Sequence, residues 1–277
     1  MRPVDLHVHS DKSDGSLSPT ALVDYAIEKG LRAFALTDHD TTEGLAEAIT
    51  YAADKDIEVI PGIEFSTEYL GKDIHIVGLY IDYNNESFNR KLVEFRDSRI
   101  NRNIKMCDNL REAGIDISYE RLCNEFDGSV ITRAHYAKYL LKYGYVSSLS
   151  EAFEKYIGDT CKYFVPREKV SPEAACALIL EAGGIPVLAH PILYHMSEDE
   201  LSVLITRLIP AGLVGIEALY STYNSEDEAL IRKLAAKHNL RLSGGSDFHG
   251  NAKPGLDLAT GYGELFVPED ILDKLKA

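Results

Sequence analysis

The chain has 277 residues, 45% of them hydrophobic, and a formal net charge of −15, which supplies ample apolar material for a packed core. Such acidity argues against sequence-independent binding of long nucleic acid, which relies on Lys and Arg against phosphates, but not against a small phosphorylated substrate, since bound divalent cations can reverse the field inside one pocket. No apolar run is long enough to span a bilayer, the opening Met-Arg-Pro-Val-Asp lacks the apolar core of a signal peptide, and Cys107, Cys123, Cys161 and Cys176 are scattered without a C-x-x-C pair, so the expectation is a cytoplasmic protein with reduced, non-ligating thiols.

The first predicted strand closes on Asp5-Leu6-His7-Val8-His9-Ser10. Residues two apart on a strand share a face, so His7 and His9 project together, at a separation suited to one metal ion. After a polar turn at 11–16, Ser18 caps a helix with Pro19 at its first position, ending at Gly30. A short strand over 33–36 ends in Thr37-Asp38-His39-Asp40, and Thr41 or Thr42 caps a second helix carrying Leu45, Ala48, Ile49 and Ala52. The third strand, 57–60, is followed by Pro61-Gly62-Ile63-Glu64, and the fourth, 74–79, contains His75. From about residue 85 the rhythm changes to helices at 87–113, 118–125, 133–142 and 148–157, with no convincing strand between Tyr83 and Tyr163.

The β/α rhythm resumes with a helix capped by Ser171. The fifth strand, 185–189, ends in His190-Pro191, and a helix over 197–209 leads to the sixth strand, 214–218. Ser225-x-x-Glu228 reads as a capping box opening the next helix. The seventh strand, 241–243, runs into Gly244-Gly245-Ser246-Asp247-Phe248-His249. Alternating β and α elements imply an α/β fold with a parallel sheet or barrel. Residues 1–82 and 164–277 would form it, with 83–163 as a helical insertion.

Of nine histidines, His7, His9, His39, His190 and His249 lie at or just after strand ends. Parallel neighbouring strands would bring these together at one mouth with His75, Glu64, Asp247 and Asp14. Histidine mixed with carboxylates suits Zn, Mn or Fe. Nine candidate ligands exceed one ion and suffice for two, or three with sharing; metals about 3.5–4 Å apart can clamp a phosphoryl group. Asp38, Asp40 and Ser246 also read as caps or supporting hydrogen-bond partners, and His238 as a helix C-terminal residue outside the chemistry.

His7-Val8-His9-Ser10, Thr37-Asp38-His39-Asp40, Gly62-Ile63-Glu64, Ile74-His75-Ile76, Ala189-His190-Pro191 and Ser246-Asp247-Phe248-His249 resemble, in order, the motifs of the PHP (polymerase and histidinol phosphatase) family. The resemblance covers nearly the whole chain. It implies a distorted (β/α)7 TIM-like barrel with the helical insertion, a di- or trinuclear centre of Mn, Fe or Zn, and hydrolysis of phosphate esters by a hydroxide bridging two metals. By position it implies His7, His9, Asp14, His39, Glu64, His75, His190, Asp247 and His249 as ligands, with Glu64 bridging. Many members carry His where this chain has Asp14. The run 13–19 and the insertion look more like stand-alone nucleotide phosphoesterases, acting on AMP, 3′,5′-bisphosphonucleotides or short RNA 5′ ends.

The expected catalytic set is therefore His7, His9, Glu64 and Asp247, with His195 as a candidate for contacting phosphate or protonating the leaving group. Substrate contacts are sought in Ile131-Thr132-Arg133-Ala134-His135-Tyr136. Thr132 would cap a helix whose first turn carries Arg133 and His135, a placement the helix dipole disfavours unless an anion binds there; a salt bridge from Arg133 to an acidic side chain is the other reading. A histidinol-phosphate or other small-molecule phosphatase is the alternative enzyme, and a metal-binding regulatory scaffold the non-enzymatic one.

Overall fold

The computed structural model describes residues 2–166 and 171–277. Seven strands form one sheet in sequence order: β1 (Val4–Val8), β2 (Ala33–Leu36), β3 (Glu58–Tyr69), β4 (Lys72–Leu79), β5 (Ile185–Leu188), β6 (Gly215–Tyr220) and β7 (Arg241–Gly245). The sheet curls until its first and last strands meet. Asp247 N–H donates to His7 O at 2.8 Å and His9 N–H to Phe248 O at 2.9 Å, so the barrel is nearly closed.

Aliphatic side chains fill its interior. Val4, Leu6, Ala33, Ala35, Val77, Leu79, Val187 and Ala189 pack inside, and Ile271, Leu272 and Leu275 of the last helix join them. The opposite face of β2, Phe34 and Leu36, packs into the outer core with Leu22, Val23 and Ala26 of α1 (Pro19–Glu28) and Leu45 and Ala48 of α2 (Leu45–Ala52). Alternate residues of one strand thus serve two layers.

The strands are not all parallel. β4 runs antiparallel to both β3 and β5, so the expected β/α repeat is broken by a hairpin. β3 also extends to Tyr69, placing Glu64 within a strand rather than after one. The reversal explains His75: β4 begins at the mouth, so a residue near its start, paired opposite Ser66, reaches the same end as the termini of the parallel strands.

Helix α3 (Glu86–Glu112) links two cores. Phe88, Leu92 and Phe95 belong to the barrel's outer core, whereas Met106, Cys107 and Leu110 pack with residues of α4 (Tyr119–Glu125), α5 (Arg133–Lys142) and α6 (Leu149–Ala152). Residues 153–157, expected to continue a regular helix, form a π-helical turn. After α7 (Pro172–Glu181) come α8 (Glu198–Leu208), α9 (Ser225–His238) and α10 (Asp270–Lys276), the last not anticipated from sequence.

Two expected caps are corrected. Gly44, not a threonine, precedes α2, because the Thr41 hydroxyl accepts from Glu43 N–H one step earlier. The α9 capping box is Asn224 with Asp227, shifted by one residue from the Ser225–Glu228 reading. Among the described residues no helix is long and apolar enough to cross a membrane.

Closure depends on Gly245. A Cβ there would lie 2.5 Å from both the Cβ and N atoms of His7, so Gly245→Ala must push β7 from β1. The substitution is expected to cost about 1–3 kcal/mol by overpacking, read as a lower urea midpoint; an unchanged midpoint would mean the seam accommodates the methyl freely.

Candidate metal centre

The mouth of the barrel collects all nine candidate ligands. Their ligating atoms fall into overlapping groups, each within 4.8 Å: His9, Asp14, His39 and His249; His7, Glu64 and His190; His7, His9 and Asp247; His39, Glu64 and His75. The Glu64 carboxylate is at the centre. Its Oε2 lies 3.2 Å from His7 Nε2, 3.2 Å from His9 Nε2 and 3.1 Å from His39 Nδ1. Its Oε1 lies 2.8 Å from His75 Nδ1 and 3.1 Å from His190 Nε2. A carboxylate using both oxygens in this way has the disposition of a bridging ligand.

Supporting residues leave the ligating atoms free. Glu217, in β6, holds His7 Nδ1 at 2.9 Å through Oε1 and accepts His190 N–H at 2.7 Å through Oε2. His249 Nδ1–H donates to the Asp247 carbonyl at 2.8 Å, which turns the Nε2 lone pair toward Asp14 Oδ1, 3.1 Å away. Asp247 Oδ2 accepts from Tyr220 at 2.6 Å and from Lys253 at 2.5 Å, leaving Oδ1 facing His9 Nε2 at 3.3 Å. Asp38 and Ser246 act as supports: Asp38 accepts from Ser10 and Ser13, and Ser246 donates to Asp5. His190 and Asp247 have positive φ, 25° and 56°, and strain at non-glycine residues persists where surrounding contacts over-determine it.

The donor set fits divalent ions. Among the described residues, His7 Nε2, His9 Nε2, Asp14 Oδ1 and His190 Nδ1 are buried without a hydrogen-bond partner, an arrangement costly for polar atoms unless a ligand engages them. The electrostatics agree. Burial opposes ionisation of Asp14, Glu64 and Asp247, yet the surrounding imidazoles, with Lys253 beside Asp247, hold all three well below the usual carboxylate range. Burial would lower His7 and His9, but carboxylates outweigh it: Glu217, Glu64 and Asp247 hold His7 well above its ordinary value, and Asp247 and Glu64 push His9 up to about 9.

Above this centre lies a cavity of about 490 Å³. Arg99, Arg102, Arg133, Lys138 and Lys253 line it with Leu149, Phe153 and Leu193. Arg99 is satisfied by Asp40 Oδ2 at 2.8 Å and Ser66 at 2.7 Å. Arg102 is buried, and its Nε and Nη1 have no hydrogen-bond partner among the described residues; burial pulls it down to about 10, so it remains cationic at neutral pH.

Arg133 both lines the cavity and makes the salt bridge that was the other reading, to Asp73 at 2.8 Å and to Asp159. His135 is turned inward. Its Nδ1 accepts Thr132 N–H at 3.0 Å, its ring lies tilted against Phe126 with centroids 4.4 Å apart, and burial lowers it to about 4. His195 is exposed and does not line the cavity; Tyr194 beside it does. His238 donates to or accepts from Ser202 Oγ at the far end of α9.

Residues 5–170 match the PHP domain family. The chain belongs to the PHP family. It is 39% identical over 245 residues to a 5′-3′ exoribonuclease of Haemophilus influenzae, covering 88% of this chain and 89% of the relative. It is 36% identical over 259 residues to a 3′,5′-nucleoside bisphosphate phosphatase of Chromobacterium violaceum, covering 93% and 91%. A structure described as a metal-dependent phosphoesterase of Bifidobacterium adolescentis superposes with a TM-score of 0.85 at 28% identity, covering 99% and 95%. This PHP protein is accordingly a metal-dependent hydrolase.

The sequence reading missed Glu217, Tyr220, Lys253, Arg99 and Arg102. Two had a signal. Glu217 interrupts an otherwise apolar strand, and Arg99 and Arg102 continue the stripe Leu92–Phe95 that returns at Met106 and Leu110, all buried. Charged residues on an apolar face point to a polar cavity.

Ion uptake should release protons, because ligating imidazole must be neutral. With its folded value near 9, protonated His9 stabilises the metal-free protein fully below its ordinary value of about 6.5, and that stabilisation is lost as pH rises through 9. Ion affinity runs the other way, tightening by about tenfold per pH unit for each proton displaced. Calorimetry of Mn²⁺ binding at pH 7 and 8, in buffers of different ionisation enthalpy, checks both; a pH-independent affinity would contradict the protonation assigned to His9.

Proposed function

We propose that this PHP protein is a phosphomonoesterase of nucleotides, acting on AMP, 3′,5′-bisphosphonucleotides or short RNA 5′ ends with two to three Mn, Fe or Zn ions. The observation that carries the reading is Arg102. A buried guanidinium with unengaged N–H groups on a cavity wall is suited to an anion, and the metal ligands lie on another wall of the same cavity. A substrate with one phosphate at the metals and another negative group at Arg102 would answer both. The exposed apolar side chains of Phe153 and Leu193 on that wall offer a nucleoside an apolar contact.

His7, His9, Asp14, His39, Glu64, His75, His190, Asp247 and His249 would hold the ions, which when bound supply Lewis acidity toward phosphoryl oxygens and lower the pKa of water. The chain's own part is orientation and charge. Glu217 keeps His7 aimed inward, Tyr220 and Lys253 keep Asp247 Oδ1 available, and Lys138, on the cavity wall, would offset negative charge of a bound phosphate. Arg133, already engaged by two carboxylates, would assist less than Arg102. His135 would support the helix start, and His195 would act only on a substrate group extending beyond the cavity.

Reconstituted protein is expected to carry two to three divalent ions by elemental analysis. His9→Ala or Asp247→Asn should abolish turnover with the fold retained, and His238→Ala should do neither. At most one ion in the wild type, or near-normal kcat in His9→Ala at saturating metal, would reject the ligand assignment.

The substrate is tested with AMP, a 3′,5′-bisphosphonucleotide, a short 5′-phosphorylated RNA and histidinol phosphate side by side. Nucleotide substrates should have the highest kcat/KM; a preference for histidinol phosphate would overturn the reading. Arg102→Ala should lower kcat/KM for the bisphosphonucleotide by about 10- to 100-fold, corresponding to about 1.5–3 kcal/mol for a charged contact, and spare p-nitrophenyl phosphate. Equal losses on both would place Arg102 at the scissile phosphate or in the fold.

A further inference from the structure

Asp14 is held by a different part of the chain from the other carboxylates of the centre. Glu64 and Asp247 belong to the barrel and are fixed by barrel residues. Asp14 lies in the loop after β1, and its Oδ2 accepts the hydroxyl of Thr132 at 2.7 Å. Both side chains are buried. Thr132 stands at the start of α5, among the helices attached to the barrel by α3.

The same short segment grips the Asp14 loop at three further points. Ser129 Oγ donates to Asp11 O at 2.8 Å, Val130 N–H to Lys12 O at 3.1 Å, and Lys138 Nζ to Asp14 O at 3.1 Å. Thr132 is itself fixed, since its backbone N–H donates to His135 Nδ1 at 3.0 Å. The His135 ring thereby makes the return half of a capping box, and the Thr132 hydroxyl, which can accept from the helix start, donates its proton to Asp14.

With Oδ2 engaged by Thr132, Asp14 presents Oδ1 to His9 Nδ1 and His249 Nε2, at 3.9 and 3.1 Å, and Oδ1 is one of the buried atoms without a hydrogen-bond partner. We infer that Thr132 is a positioning residue whose hydroxyl fixes the Asp14 carboxylate, so that the helical segment completes the ion site formed by His9, Asp14, His39 and His249. The inference rests on the ligand assignment proposed above. It has a consequence for specificity: Arg133, the next residue, is on the cavity wall, so the start of α5 touches the substrate cavity and the metal centre through adjacent side chains.

The test is Mn²⁺ titration of chelator-stripped, full-length protein, followed calorimetrically. Thr132→Val replaces the hydroxyl with a methyl group of similar shape and keeps the backbone N–H that His135 caps. Loss of a hydrogen bond that orients a ligand typically weakens metal binding 10- to 100-fold. Thr132→Val should therefore weaken one binding step at least tenfold, or remove one ion from the stoichiometry, and leave the others unchanged. Thr132→Ser should restore wild-type binding. Thr132→Ala, which removes the hydroxyl without adding bulk, gives the same reading should the valine variant fail to fold.

An equal weakening of every step, or a lower thermal midpoint with wild-type binding, would assign Thr132 to structure alone and overturn the inference. Wild-type uptake with an unchanged Thr132→Val variant would also overturn it, leaving the metal centre intact. A wild-type protein that takes up no ion would overturn the ligand assignment itself and this inference with it.

Discussion

Glu64 is the constraint on which the rest of the structure depends. A buried carboxylate is tolerated only with compensating charge or hydrogen bonds, and here the compensation comes from five imidazoles. Glu64 lies on β3, the middle of the first five strands in the sheet. His7 and His9 come from β1 and its end, His39 from the end of β2, His75 from β4 and His190 from the end of β5. Each of these elements therefore has to deliver an imidazole to the same point. The β3–β4 hairpin serves that need, because reversing β4 brings its start to the mouth. The last two strands act on the ligands: β6 supplies Glu217, which aims His7, and β7 leads into Asp247 and His249, with Gly245 allowing the seam to close against β1.

Local rules were enough to read much of this. The strand ends carried histidines and carboxylates in an order the barrel respects, and the spacing of His7 and His9 placed their ring centroids 5.1 Å apart. What could not be read was strand direction. The connection at Leu70-Gly71 is short, and the segments beside it, Ser66-Thr67-Glu68-Tyr69 and Lys72-Asp73, are largely polar and read as loop, so periodicity alone does not reveal that β3 continues to Tyr69 and turns back. The two misplaced caps have the same character. Thr41 against Gly44, and Ser225 against Asn224, differ by one to three residues, and the choice is made by which backbone N–H lies within reach.

The helical segment shows why cations lining a cavity are harder to find from sequence than candidate metal ligands. Arg99 and Arg102 occupy positions of α3 where the heptad-like stripe calls for apolar side chains, while Ile104 is turned to solvent. They sit where the helix leaves the barrel core and has not yet entered the second core. That gap faces the cavity, which is why cations are stable there and why sequence alone makes them look like ordinary surface charge. His135 misleads in the opposite direction. A histidine in the first turn of a helix reads as an anion contact, but its ring accepts a backbone hydrogen bond and is kept neutral by burial.

The charge of the molecule is distributed to match. The chain as a whole carries −15, yet the described cavity wall collects three arginines and two lysines. The same wall carries Asp14, Glu64, Asp73, Asp159 and Asp247, so most of these cations are paired, whereas Arg102 keeps Nε and Nη1 without a hydrogen-bond partner among the described residues. At the bottom of the cavity imidazoles and Lys253 hold Asp14, Glu64 and Asp247 well below the usual carboxylate range, Glu217, Glu64 and Asp247 hold His7 well above its ordinary value, and Asp247 and Glu64 push His9 up to about 9. Ions held by this set would displace the protons of His7 and His9. The apolar layers of the barrel contribute none of these groups, yet His7, Glu64 and His75 stand on the same strands whose other face builds those layers, so strand packing sets where the ligating atoms meet.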